Sequence, residues 1–222
     1  MLATSFHISM ADNTQKMVSL LGRLRKQMNG AVADAMYYYG ARYGLNYGVS
    51  LPTVRDIASQ EGKDHDLALY LYKQQVRELR LAALHIADPQ CITTEQASAW
   101  AEGIINSEVA EEMAFALLPF APAFKDIYSE WSQSENEFLA YTALMAASRS
   151  AEATQIESLA EIVVRHPSSR IIAQGVVAQL TAAYTLDGSL SSQISDLLSR
   201  MGDGSTATYI REEMEWRLEA LQ

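Results

Sequence analysis

The sequence lacks several features that mark common classes of protein. A single cysteine, Cys91, excludes an internal disulfide and a zinc site built from cysteines. The four histidines are widely separated, with none at i, i+4 spacing, so neither a metal site nor a cofactor is predicted. No apolar run approaches the roughly 18 residues that a membrane span needs, and Met1–Met10 lacks the basic start and apolar core of a signal peptide. These absences predict a cytoplasmic protein without membrane association.

Motifs for nucleophilic catalysis and nucleotide binding are also missing. The sequence contains no GxSxG elbow, no P-loop and no GxGxxG fingerprint. Only five prolines and eleven glycines are present, too few for a linker-rich protein. A chain of 222 residues, of which 49% are hydrophobic, can bury a core without disulfides. We therefore expect one folded domain over residues 1–222.

Net charge argues against a generic nucleic-acid binder, because phosphate contacts need lysine and arginine and this chain carries a formal charge of −10. The charge is uneven, however. Residues 1–62 hold six basic and four acidic residues, whereas the remainder holds 11 basic and 23 acidic residues. Arg23, Arg25 and Lys26 lie opposite the apolar face of the first predicted helix. They predict either a local basic surface for DNA or an ordinary solvated helix face.

The hydrophobic pattern is helical nearly throughout. Met17, Leu20, Leu24 and Met28 recur on one face of an amphipathic helix. Proline, glycine and capping residues then divide the chain into short helices, one of which is predicted to be continuous over Glu152–Arg165. Helix–break–helix units of roughly 30–45 residues are typical of HEAT or armadillo repeats. The sequence thus predicts an all-α, right-handed helical-repeat superhelix, with an irregular helical bundle as the alternative.

Five tyrosines cluster around the end of the second predicted helix: Tyr37, Tyr38, Tyr39, Tyr43 and Tyr47. Successive helix residues point about 100° apart, so three consecutive tyrosines cannot all face one core. At least one ring should lie near solvent. Beside Arg42 and Arg55, such rings could stack on bases; packing between helices is the structural alternative.

Three carboxylates share the start of a later helix. Glu108 lies three residues before Glu111 and four before Glu112, so all three can share one face. Carboxylates held in a concave site could stabilise a cation or activate water. Acidic residues in a first turn are also favoured by the helix dipole, with Asn106 or Ser107 as cap.

Several segments together suggest a family. They are Tyr47-Gly48-Val49 with Pro52 and Arg55, Arg77-Glu78 with Leu79, Arg80, Ala82 and Ala83, the helix containing Trp100 and followed by Ile104-Ile105, and Glu135–Leu139 leading into an Ala-rich helix. In these segments the sequence resembles the helical-repeat DNA alkylation repair proteins, the AlkD-like alkylpurine DNA glycosylases. The resemblance covers roughly residues 30–180. It implies an all-α superhelix of HEAT-like repeats with a concave surface that binds DNA.

The resemblance also implies a site. Glu111 takes the place of the family's catalytic Asp, and Tyr141 stands on or near the position of a phosphate-binding Arg. Ser107 and Glu108 stand where the family has an aromatic residue and an acid. Gln179 lies near the position of a further aromatic. Phosphate contacts would come from Arg23, Arg42 and Arg55, and lesion contacts from Tyr38 or Tyr47.

The resemblance implies a monofunctional DNA glycosylase that needs no metal. It would bind damaged duplex DNA through a local basic concave face and excise alkylated purines from it. The alternative is a non-catalytic member of the same fold. Such a protein would bind a protein, a peptide or an unusual nucleic-acid structure through that face. The acidic balance of the chain favours this alternative.

Overall fold

The structure, a computed structural model, describes the backbone of residues 2–220 and the side chains of residues 12–219. The prediction drawn from the side chains of Met1–Met10 lies outside the described residues. The described chain is helical, and no strand occurs in it; Leu45 and Val76 form an isolated β-bridge. None of the helices in this part of the chain is long and apolar enough to cross a bilayer.

The α-helices begin and end close to the breaks that the sequence predicts. They are α1 (Leu2–Arg25), α2 (Gly30–Tyr38), α3 (Leu51–Ser59), α4 (His65–Tyr72), α5 (Arg77–Ile86), α6 (Thr94–Ala101), α7 (Ser107–Ala116), α8 (Phe124–Trp131), α9 (Glu137–Ala147), α10 (Leu159–Arg165), α11 (Arg170–Leu186), α12 (Ser191–Ser199) and α13 (Ser205–Ala220). Short polar side chains cap many of them. Asn106 Oδ1, for example, accepts a 3.0 Å hydrogen bond from the Val109 amide at the start of α7.

The chain divides between Ile92 and Thr93 into two compact units. In the first unit α5 is central, and every residue of it except His85 is buried. It packs against α3 and α4. Leu20 and Leu24 of α1, both fully buried, complete this core. Leu20 and Leu24 of the predicted apolar stripe are therefore residues by which α1 joins the first unit. Met28, which the sequence predicts on the same face, lies beyond the end of α1 and is 59% exposed.

In the second unit α9 and α11 form the centre. The α9 helix packs against α7, α8 and α11, and α11 packs in turn against α13. Small residues make this close packing possible, since α9 buries four alanines on several of its sides. Gly175 of α11 lies against Leu144 and Tyr141, where an added Cβ would approach their side chains to 3.0–3.1 Å. Side chains of α7, α9, α11 and α13 are thereby brought close to one another.

The predicted helix over Glu152–Arg165 is wrong as one continuous element. A 3-10 turn occupies Ala151–Thr154, and α10 begins only at Leu159. Between them the carbonyl oxygen of Gln155 accepts hydrogen bonds from the Tyr128 hydroxyl at 3.2 Å and from Gln179 Nε2 at 3.0 Å. These long-range bonds hold the carbonyl outside a helical ladder, which local sequence cannot reveal.

Candidate functional site

The family-like segments around Gly48 and Glu78 meet in the first unit. The Glu78 carboxylate is fully buried, and it accepts hydrogen bonds from the amides of Tyr47 at 3.1 Å and Val49 at 3.2 Å. Arg77 Nη1 donates to the same carboxylate at 3.1 Å and to the Val49 carbonyl at 2.8 Å. Buried charges of opposite sign thus fix the loop backbone. Glu78 and Arg77 of the motif are therefore buried and stabilise the fold of this loop.

Gly48 is required at this loop for two reasons. Its φ of +67° lies in the left-handed region. An added Cβ would overlap the Asn29 carbonyl oxygen and lie 2.7 Å from the Ala33 nitrogen. The Asn29 amide also donates to the Tyr47 carbonyl at 2.8 Å. The loop therefore holds the first turn of α2 by direct backbone contact.

Helix α2 and the tyrosines at its end are open to solvent. No residue of α2 is buried. Tyr37, Tyr38 and Tyr39 are exposed to 63%, 81% and 84%, which confirms that three consecutive tyrosines do not share a core. The rings of Tyr38 and Tyr39 meet edge to face, with centroids 5.2 Å apart. This surface can offer aromatic faces to a partner.

The predicted basic residues of the first unit have different surroundings. The Arg42 guanidinium lies over the Tyr37 ring, 3.8 Å from its centroid, and remains exposed. Arg23 forms an ion pair with Glu61 and donates to Gln60 Oε1 at 3.3 Å, so its charge is compensated within the protein. Arg55 is half-buried on α3. The guanidinium carbon of Arg25 lies 5.7 Å from the centroid of the Tyr47 ring. The exposed tyrosines with Arg42 and Arg25 form the most open cationic and aromatic surface among these predicted residues.

In the second unit two predicted residues make direct contact. Tyr141 of α9 is buried except for 3% of its surface, and its hydroxyl donates to Glu111 Oε1 of α7 at 3.1 Å. Glu111 itself is exposed. Its neighbour Glu112 points into the core, so the three acidic residues of α7 do not act as one cluster. Among these three acidic residues, Glu111 is the exposed one whose carboxylate contacts an aromatic side chain.

Burial raises the pKa of the Tyr141 hydroxyl well above its usual range, and the negative charge of Glu111 raises it further. The hydroxyl therefore stays protonated and remains a donor across the neutral range. Such a fixed donor orients the Glu111 carboxylate without removing it from solvent. Tyr141 stands on or near the position where the resemblance implies a phosphate-binding Arg, and here its hydroxyl donates to the Glu111 carboxylate.

Glu111 and Tyr141 line a cavity of about 400 Å³, which we call the Glu111 cavity. Gln174 of α11 and Tyr209 and Arg217 of α13 contribute further polar atoms. Sequence reasoning missed these three residues, because nothing local distinguishes them from other surface positions. Gln179, singled out from the resemblance, is fully buried and bonds to the Tyr128 hydroxyl at 2.9 Å. The described residues contain no group of three or more histidines, cysteines or acids that could hold a metal.

Comparison with known proteins agrees with this architecture. The model of the family described as DNA alkylation repair enzyme matches residues 20–170. The chain belongs to that family. A solved structure described as "a new family of proteins related to the HEAT-like repeat DNA glycosylases with affinity for branched DNA structures" is similar, with a TM-score of 0.69 over 89% of this chain and 93% of that one. Its sequence identity of 16% makes this a likeness of fold. No curated protein matches the sequence.

The two findings confirm the predicted family and the predicted all-α, HEAT-like repeat fold. Both findings concern the family and the fold. The roles assigned to individual residues stay predictions. Among those residues, the structure brings Glu111 and Tyr141 together in the second unit. In the first unit it exposes Tyr38 and Arg42, and it pairs Arg23 with an acid.

Proposed function

We propose that this family member binds damaged duplex DNA and releases positively charged N-alkylated purines from it. The contact between Glu111 and Tyr141 carries the proposal, because it places an oriented, solvent-facing carboxylate in a cavity lined by a second tyrosine, Tyr209. A cavity of about 400 Å³ lies within the range that small-molecule sites occupy. It would receive the damaged nucleotide.

The chemistry requires little more than such a carboxylate. In an N-alkylated purine nucleotide the base is cationic, so the bond between C1′ and the base nitrogen breaks with both electrons leaving on a neutral base. Positive charge then develops on the sugar, as an oxocarbenium-like species. The Glu111 carboxylate stabilises that charge and orients a water, whose oxygen bonds to C1′ as its proton passes to a solvent water. The hydroxyl of Tyr141 keeps the carboxylate in place.

The first unit would supply DNA contacts of its own. Arg42 and the exposed ring of Tyr38 offer cationic and aromatic groups to a phosphate or a base. Arg23, Arg55 and Tyr47 remain proposals for the same surface, although Glu61 already compensates the charge of Arg23.

The decisive experiment measures release of 7-methylguanine or 3-methyladenine from methylated duplex DNA. Wild-type protein is compared with Glu111→Gln and with Glu130→Gln, which removes an exposed carboxylate of α8 outside the cavity. Loss of a transition-state electrostatic contact costs about 10²–10³ in rate, so Glu111→Gln should be slower by that factor while Glu130→Gln stays at the wild-type rate. Equal rates in all three proteins would remove Glu111 from the mechanism.

A second candidate function is recognition of branched DNA without excision. The structural relative favours it, since that protein is described as having affinity for branched DNA and covers nearly the whole of this chain. Ser107 and Glu108 also leave this site without the aromatic residue that the resemblance implies. Binding of a four-way junction in preference to its linear duplex, with no base release from methylated DNA, would establish this function in place of the first.

A further inference from the structure

A second cavity adjoins the Glu111 cavity within the second unit. It has a volume of about 640 Å³ and shares Ala178 and Arg217 with the Glu111 cavity. Arg149, which follows the end of α9, lies on its wall together with the hydroxyl-bearing residues Ser150 and Thr185. We call it the arginine cavity. Since the two cavities share lining residues, they are neighbours on the surface of the second unit.

Two arginines line this cavity, and no carboxylate is among the described residues that line it. That distinguishes the cavity within a chain whose formal charge is −10. Arg149 donates through Nη1 to the Met145 carbonyl at 2.7 Å, which fixes the side chain while leaving further N–H groups on the guanidinium. Its charge is close enough to act on Tyr141, where it opposes the rise in that pKa.

Arg217 carries a donor that the protein does not use. Its Nη2 donates to Glu213 at 3.3 Å, one turn earlier on α13. Its Nε is buried and has no hydrogen-bond partner among the described residues. A buried donor without an acceptor costs free energy, and such groups in native proteins call for an explanation. Because this Nε is closed to solvent, an anion in the arginine cavity would bind the accessible part of the Arg217 guanidinium, whose side chain is 37% exposed.

We propose that the arginine cavity is a phosphate site, in which Arg149 and Arg217 hold the phosphodiester next to the nucleotide that occupies the Glu111 cavity. The proposal rests on the proposed DNA-binding function. Guanidinium groups suit phosphate because their planar N–H groups bind two of its oxygens at once.

The test is the salt dependence of DNA binding, which counts phosphate contacts and does not depend on catalysis. Affinity for a duplex oligonucleotide is measured by fluorescence anisotropy over a series of salt concentrations. The proteins compared are wild type, Arg149→Gln, Arg217→Gln, the double variant, and Arg200→Gln. Arg200 is an exposed arginine at the end of α12 that lines neither cavity, so its replacement is the matched control for loss of one positive charge.

Each lost contact should lower the slope of log K against log salt by about 0.9. The double variant should therefore lose about 1.8 in slope and roughly tenfold in affinity near physiological salt, and the control should match wild type. Binding with an unchanged slope in the double variant would overturn the proposal. A lowered slope without any base release from methylated DNA would support the phosphate site while refuting excision, which separates the two proposals.

A parallel titration with inorganic phosphate and deoxyadenosine monophosphate distinguishes a strand from a free ligand. The assignment to a DNA phosphodiester would be overturned if both arginines were needed to bind the free monophosphate and neither were needed to bind the duplex. Arginine-dependent binding of the duplex, with weak or no binding of inorganic phosphate, is the result that supports it. Circular dichroism of each variant confirms that the fold is retained.

Discussion

Replacing Glu78 with Gln should destabilise the first unit strongly, although the two side chains have nearly the same shape. The buried carboxylate accepts from the amides of Tyr47 and Val49 and from the guanidinium of Arg77. A carboxamide keeps one acceptor oxygen and places an NH₂ group against one of these donors. It also removes the negative charge that lies 3.1 Å from Arg77 Nη1, on an arginine that is 3% exposed.

The magnitude follows from the loss of one partner in a buried ion pair, which costs about 3–5 kcal/mol. Gln retains one of the oxygens, so we expect the lower end, about 3 kcal/mol. Domains of this kind are stable by about 5–15 kcal/mol in total. With a urea m-value of about 2 kcal/mol per molar, the midpoint should fall by about 1.5 M.

Urea unfolding monitored by far-UV circular dichroism measures this change. All three tryptophans of the sequence lie beyond residue 92, so tryptophan fluorescence reports on the second unit and shows where the loss occurs. Asp34→Asn is the control, because it removes an exposed carboxylate of α2 and should change stability by less than about 0.5 kcal/mol. If Glu78→Gln were as stable as Asp34→Asn, the anchoring role of Glu78 would be refuted.

Three further predictions concern single positions. Gly48→Ala should cost about 3 kcal/mol, because the positive φ and the adjacent backbone of α2 both exclude a Cβ; Gly22→Ala, in an open helical position, should instead raise the melting temperature through a gain of about 0.5–1 kcal/mol. Burial raises the pKa of Tyr128 to about 12. This tyrosine therefore ionises at lower pH in the unfolded chain, and the free energy of unfolding should fall as pH rises from about 10 to 12. The urea midpoint should fall less over that interval in Tyr128→Phe than in wild type, and an equal fall in both proteins would contradict this assignment. Tyr38→Ala should leave the melting temperature unchanged, since the ring is 81% exposed, and should weaken binding of DNA in anisotropy titrations; unchanged affinity would remove this ring from the interface.

Local sequence was a good guide to the helices because their signals are local. The apolar stripe of α1 predicts the buried positions Leu20 and Leu24 correctly. Caps such as Asn106 and breaks such as Pro167 mark helix ends through bonds and clashes within a few residues. The interruption between Thr154 and Leu159 escaped prediction, because its cause is a pair of hydrogen bonds from side chains far away in the sequence.

The candidate site shows the same division. Glu111 could be chosen from the resemblance, but its neighbours on the sequence give no sign that Glu112 is buried and Glu111 exposed. The contact with Tyr141 crosses thirty residues. Arg149 and Arg217 carry no motif, and only the packing of the helices places both on the wall of one cavity.

The amino-acid sequence alone determined that the protein is all-helical, since periodicity, caps and breaks are properties of neighbouring residues. The resemblance of a few segments indicated the DNA alkylation repair family. Only the tertiary structure decided which polar residues are used up inside the protein and which remain open to a ligand. It committed Glu78 and Gln179 to buried hydrogen bonds and left the Glu111 carboxylate at the mouth of a cavity. The physical reason is that burial and hydrogen-bond partners depend on which helices meet, and that is fixed by the packing of the whole unit.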